Sequence, residues 1–245
     1  MYYNFDQRPF VVLNGRSSKS IQGLIISKLP QITKPRVRTK VETVDGRDGD
    51  LVTVLGYAAY NKEIEIGLSY EYNIDDVTTF FNSSGKVVFS NEPDKYYLYS
   101  IYDQIDFEKL VRFKTASVTF HVQPFKYSEL ETERVFNEIL RGGKEISIRN
   151  NGNVISRPTI SILGAGDISL FINGEKILDL DLPSTGEKII IDSEAMNAYN
   201  EDRSRLLNRQ VIGNYDKIKL DTGANKISYT GTVSKLWIDK YTRWV

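Results

Sequence analysis

The stretch Gly166-Asp167-Ile168-Ser169-Leu170-Phe171-Ile172-Asn173-Gly174-Glu175-Lys176-Ile177-Leu178-Asp179-Leu180-Asp181-Leu182 carries the strongest fold signal in the chain. Ile168, Leu170 and Ile172 occupy every second position, so an extended backbone turns all three to one face. Asn173-Gly174 supplies the positive-φ residues that a two-residue hairpin turn demands. Leu178, Leu180 and Leu182 then alternate on the way back. Two half-buried strands joined by a tight turn are expected, and their apolar face needs a second layer to cover it.

Toward the C-terminus the same rhythm continues. Pro183-Ser184-Thr185-Gly186 is expected to turn the chain into a strand containing Ile189 and Ile191. Ile218–Leu220, Ile227–Tyr229 and Val233–Ile238 read as further strands, whereas Ser193–Asn208 fits either a helix or short strands. Turn signals every ~8–12 residues are those of a β-sandwich or barrel, placed here at residues 144–245. Upstream, Ser128 and Glu131 have capping-box spacing, and Val135, Phe136, Ile139 and Leu140 form an apolar stripe ending at Gly142-Gly143. A linker helix over 128–143 is therefore expected.

Residues 1–127 read as a second domain. Ile64, Ile66, Leu68, Tyr70 and Tyr72 alternate with Glu63, Glu65, Gly67, Ser69 and Glu71, the pattern of a strand buried on one face. Asn73 can cap a short helix with Ile74, Val77, Phe80 and Phe81 on one side and Asp75 and Asp76 at its positive end. Lys86–Asn91 and Tyr96–Tyr102 are expected to be strands about a Glu92–Lys95 turn. Val118–Val122 alternates again before Pro124.

Residues 34–57 predict a protruding hairpin arm. Lys34, Arg36, Arg38 and Lys40 recur at every second position, with Val37, Thr39 and Val41 between them. Asp45-Gly46-Arg47-Asp48-Gly49-Asp50 holds two Asp-Gly turn signals, and Leu51–Leu55 returns. Such an arm is either a solvated edge whose charges prevent sheet aggregation or a device that docks on another protein. In the second reading the interface is Lys34, Arg36, Arg38, Lys40, Asp45, Arg47, Asp48 and Asp50.

Composition excludes much chemistry. The 245 residues hold 32 Lys plus Arg against 32 Asp plus Glu, so no basic excess exists for counterion release on nucleic acid. Absence of cysteine removes disulfides, thiolate catalysis and Cys-ligated metals. The single histidine, His121, has no Gly-x-Ser-x-Gly nucleophile motif to serve. Gly164-Ala165-Gly166 lacks the third glycine of a dinucleotide loop. Asp45, Asp48 and Asp50 lack the closing glutamate of a calcium loop, and Asp179 with Asp181 alone make no glycosidase. No apolar run reaches membrane-span length, and Met1–Asp6 lacks a secretion-signal layout. The expectation is a protein without catalytic residues, cofactor or metal.

The order of several motifs resembles a known family. A basic stretch leads to Gly46-Arg47-Asp48-Gly49-Asp50-Leu51, then an alternating strand, a short helix and a Tyr-rich strand. Next come Val118-Thr119-Phe120-His121-Val122-Gln123-Pro124-Phe125-Lys126-Tyr127, Asn150-Asn151-Gly152, Arg157-Pro158-Thr159-Ile160-Ser161-Ile162, Ile172-Asn173-Gly174 and Asp221-Thr222-Gly223-Ala224-Asn225-Lys226-Ile227. Together they resemble the distal tail proteins of siphophages. That resemblance implies a mainly β protein: an N-terminal β-sandwich with a short helix and a protruding β-hairpin, plus a C-terminal galectin-like, carbohydrate-module-like β-sandwich. It implies a homo-oligomer, a hexameric ring at the virion tail tip, assembled in the bacterial host cytoplasm. Its partners would be the tail-tube protein, the tail-tip protein and a receptor-binding protein, with DNA passing through the channel without specific binding and no membrane contact. The alternative is a carbohydrate-binding or adhesin module using Trp237, Trp244 or Tyr96, Tyr97 and Tyr99 as sugar platforms.

Overall fold

The computed structural model describes residues 8–131, 134–136 and 145–245. It is mainly β with curled sheets and two short α-helices, and its contacts divide into two compact units, Met1–Glu129 and Leu130–Trp244. No helix among the described residues is long and apolar enough to cross a membrane.

The first unit contains β1 (Val11–Leu13), β2 (Arg16–Ser17), β3 (Leu24–Lys28), β4 (Val37–Thr43), β5 (Asp50–Tyr57), β6 (Tyr60–Leu68), α1 (Ile74–Phe81), β7 (Ser84–Phe89), β8 (Lys95–Ser100), α2 (Phe107–Phe113) and β9 (Thr115–Ser128). Its main sheet runs β2-β1-β7-β8-β9-β6-β3, with antiparallel neighbours. The alternation of β6 holds as far as Leu68: Ile64, Ile66 and Leu68 are buried and pack with Val118, Phe120, Val122, Phe89 and Tyr97, whereas Tyr70 and Tyr72, expected on the same face, lie past the end of the strand and Tyr70 is fully exposed. Asn73 caps α1, its Oδ1 accepting from the backbone N–H of Asp75 at 3.0 Å and of Asp76 at 3.4 Å. Val77, Phe80 and Phe81 face the core, joined by Leu110 of α2. The sequence patterns overlooked α2, although Asp106 caps it by accepting from the N–H of Lys109 at 2.8 Å. β9 runs on through Pro124 instead of ending before it. The pairing of β8 with β9 slips between Tyr97↔Lys126 and Tyr99↔Val122, so the proline lies in an irregularity where no ladder N–H is needed.

In the second unit β10 (Arg134–Phe136), β11 (Ile146–Asn150), β12 (Thr159–Ile172), β13 (Glu175–Asp192), β14 (Asn197–Tyr199), β15 (Val211–Gly213) and β16 (Gly223–Asp239) form one sheet, ordered β10-β16-β12-β13-β14. β11 also pairs with β16, and β15 with β13. The Asn173-Gly174 hairpin is present, with Leu170 opposite Leu178 and Ile168 opposite Leu180. Its apolar residues close a core with Ile160, Ile162, Tyr229 and Leu236.

Three expectations need correction here. Ile218–Leu220 is not a strand: it follows a tight helical turn at Tyr215–Lys217, and Leu220 pairs only in an isolated bridge with Ser156. Pro183–Gly186 does not end a strand: β13 continues to Asp192. Gly164 pairs with Glu187 and Gly166 with Leu182, so the four residues bulge out opposite Ala165. Gly186, at φ +86°, supplies the conformation that the bulge requires. The expected helix over 128–143 is also not found where the chain is described. Ser128 ends β9, and Arg134–Phe136 pair antiparallel with Leu236–Ile238. The carboxylate of Glu131, expected to close a capping box, instead accepts from Thr242 N at 2.6 Å and Thr242 Oγ1 at 2.7 Å and pairs with Lys240 at 2.5 Å. Residues 132–133 and 137–144 lie outside the described residues. Ser193–Asn208, left open above, contains β14 and no α-helix.

Candidate interaction surface

The arm of residues 34–57 forms a two-stranded ribbon in which β4 and β5 pair only with each other. Thr39 lies opposite Val54, Lys40 opposite Thr53, and Val41 opposite Val52. A register shift next to Arg38 leaves Leu55 as the extra residue of a bulge. Opposed residues share a face, so Thr39, Val41, Val52 and Val54 make one side of the ribbon and Arg38, Lys40, Glu42, Leu51 and Thr53 the other. Val41, Val52 and Val54 are 55%, 57% and 67% exposed. The sequence already set Val37, Thr39 and Val41 opposite the cations; that Val52 and Val54 complete this face went unnoticed, although they alternate visibly.

The eight candidate site residues fall into two groups. Arg38 and Lys40 are on β4, while Lys34 and Arg36 precede it, separated by buried Pro35. Lys40 pairs with Glu42 on its own strand, so the face is basic only in part. At the tip, Asp45, Arg47, Asp48 and Asp50 are all exposed. Gly46 and Gly49 take φ +80° and +77° there, and Arg47 N donates to Val44 O at 3.2 Å. Among the described residues, Lys34, Arg36, Arg38 and the three tip aspartates enter no ion pair.

The root of the arm is held on both sides. Ala58 N donates to Arg36 O at 2.8 Å, and the Tyr57 ring meets Phe125 of β9 edge-on at 5.6 Å. On the incoming side, Asn91 Nδ2 donates to Pro30 O and Lys62 Nζ to Gln31 O, each at 2.9 Å. Lys62 is 3% exposed. Burial lowers its pKa, against the opposing pull of Glu92. Sequence reasoning missed this residue, although it shares the phase of Ile64 and Ile66 and so had to face inward.

Other candidates separate from one another. His121 lies on β9 with Nδ1 3.0 Å from Asn61 Oδ1 and its ring 5.3 Å from Tyr102. Tyr96, Tyr97 and Tyr99 are buried, which removes them as sugar platforms. The ammonium groups of Lys188 and Lys235 lie over the indole of Trp237, 4.5 and 5.2 Å from its ring centroid.

A scan against protein-family models finds no match, and neither does a search of curated proteins. Solved structures do match. SPP1 Dit (gp 19.1), described as a paradigm of hub adsorption apparatus in phages infecting Gram-positive hosts, superposes with a TM-score of 0.66 at 13% identity. The match covers 95% of this chain and 99% of that one. This chain has the fold of SPP1 Dit. A chain of the phage P2 baseplate in its activated conformation with Ca matches with a TM-score of 0.49 at 10% identity, over 94% of this chain and 96% of that one. The Dit fold accounts for both units at once, since the likeness to SPP1 Dit runs almost end to end.

Proposed function

We propose that this chain is a structural virion protein, the baseplate hub at the distal end of a phage tail. The observation that carries the reading is the nearly complete likeness in fold to SPP1 Dit, itself described as a hub of an adsorption apparatus. In this reading the N-terminal domain, residues 1–127, closes into a hexameric ring between the tail-tube protein and the tail-tip protein. The ring leaves a channel for DNA. Residues 144–245 form the outward-facing galectin-like sandwich, a mount for a receptor-binding protein. The chain is built into virions in the bacterial host cytoplasm and has no catalytic role.

The arm supplies the contact between copies or with a neighbouring tail protein. A two-stranded ribbon is marginal alone in water, and this one exposes a row of valines and two unpaired strand edges. A ring gives every arm a neighbour, and the flanking charges fix the register of that contact. Lining the channel with these cations would instead retard DNA.

Charge reversal tests the proposal. Exposed pairs contribute ~0–1 kcal/mol each, and reversing Arg36 and Arg38 together turns two attractions per interface into repulsions. The Arg36→Glu, Arg38→Glu chain is expected to need about tenfold more protein to form rings in electron micrographs, with an unchanged circular dichroism spectrum. Rings formed as readily as by the parent chain would make the arm a solvated edge.

A further inference from the structure

We infer that Lys62 is a positioning residue that sets the direction in which the arm leaves the sheet. Lys62 occupies a core-facing position of β6, opposite Phe120 on β9. Its ammonium lies 4.9 Å from the ring centroid of Tyr97, 5.6 Å from Tyr60 and 5.9 Å from Phe89. No carboxylate is within ion-pair distance of it among the described residues. Glu92 is committed to Lys126 and to the Tyr97 hydroxyl, each at 2.6 Å. The directed hydrogen bond of Lys62 goes to a backbone carbonyl, Gln31 O. A methionine would fill the same space without dehydrating a charge, so stability alone does not account for a lysine there. What the ammonium adds is a fixed point on the chain.

That point lies where it matters for the arm. Residues 29–36 enter no strand ladder, so side chains must hold them. The consecutive carbonyls of Pro30 and Gln31 are taken by Asn91, beyond the end of β7, and by Lys62. Pro30 and Pro35 are both buried, and each fixes its own φ. The segment between clamp and ribbon is therefore short and stiff, and Ala58 N closes it at Arg36 O. β4 extends seven residues beyond this root, about 23 Å at ~3.3 Å per residue, so a small rotation at Gln31 is magnified at the tip. That this pose serves assembly rests on the function proposed above; that Lys62 sets it does not.

The chain has no cysteine, which makes spin-label distance measurement direct. Labels at Asp48→Cys on the arm tip and Ser117→Cys on β9, in full-length chain diluted with unlabelled chain, report the arm's direction within one subunit. The parent is expected to give one narrow distance distribution. Lys62→Met should widen it roughly twofold with the circular dichroism spectrum and melting temperature retained, and Asn91→Ala, outside the core, should widen it in the same sense. If Lys62→Met does not fold, Asn91→Ala decides alone. A parent distribution that is already broad, or folded variants as narrow as the parent, would overturn the inference. Because the distance lies within one subunit, failure of the chain to form rings would count against the hub reading and leave this result standing.

Discussion

Glu92→Leu is expected to destabilise the N-terminal unit by about 3–5 kcal/mol, the usual cost of removing one partner from a buried pair. Glu92 is 8% exposed. It accepts from Lys126 at Oε1 and from the Tyr97 hydroxyl at Oε2, and its charge also steadies the buried Lys62. Leucine would strand the Lys126 ammonium and the Tyr97 hydroxyl in a site built for a carboxylate. The pH dependence follows. Burial pushes the Glu92 pKa up, but the hydrogen bonds from Lys126 and Tyr97 and the charges of Lys126 and Lys62 outweigh it and hold the carboxyl below its ordinary value. A depressed carboxyl stabilises fully above its unfolded pKa, near ~4.3, and loses that contribution as pH falls through the lower folded value. Urea midpoints by far-ultraviolet circular dichroism should therefore fall for the parent in that acid range and change less for Glu92→Leu. Equal midpoints of parent and variant at pH 7 would show that the pair carries no stability.

Leu170→Ala should cost the C-terminal unit about 2–5 kcal/mol. Leu170 is fully buried at the centre of that core, opposite Leu178 on one side and Tyr229 on the other. Strands on both flanks prevent the sheet from closing over the lost volume, which favours the upper part of the range. Trp237 lies on β16 of this unit, so in a Trp244→Phe background its fluorescence reports this unit's unfolding separately from the tyrosine-rich first unit. The tryptophan-detected urea midpoint should drop well below that of the parent. An unmoved midpoint would mean that Leu170 is not in the core as described.

Much of this architecture was legible because strands with one wet face write a period of two into the sequence. Ile64 to Leu68 and Ile168 to Ile172 declared their buried faces, and Asn173-Gly174 and Asn73 declared a turn and a cap. The failures have particular causes. Glu131 had capping-box spacing from Ser128, but its carboxylate is used by Thr242 and Lys240, more than a hundred residues away. Tertiary partners of that kind leave no local trace. The short α2 has too few turns to set up a periodicity, and its cap at Asp106 is a single-residue signal. Pro183 and Gly186 read as a turn because the same residues that turn a chain also make a bulge. At the candidate surface the cations were visible, but β5's valines, which lie uncovered on the opposite side of the same ribbon, were overlooked. Lys62 was concealed by its residue type: a lysine in an alternating strand is ordinarily assigned to the wet face, and here it takes the dry one.

The proposed function stands on a ring closed by copies of this chain. Its most direct test is the molar mass of the purified full-length protein by sedimentation equilibrium, at tens of micromolar (~10–50 µM) and physiological salt. The expected result is a closed assembly of six times the 28.0 kDa chain mass, or a doubled ring of that unit. A chain that stays at 28.0 kDa throughout this range would contradict it.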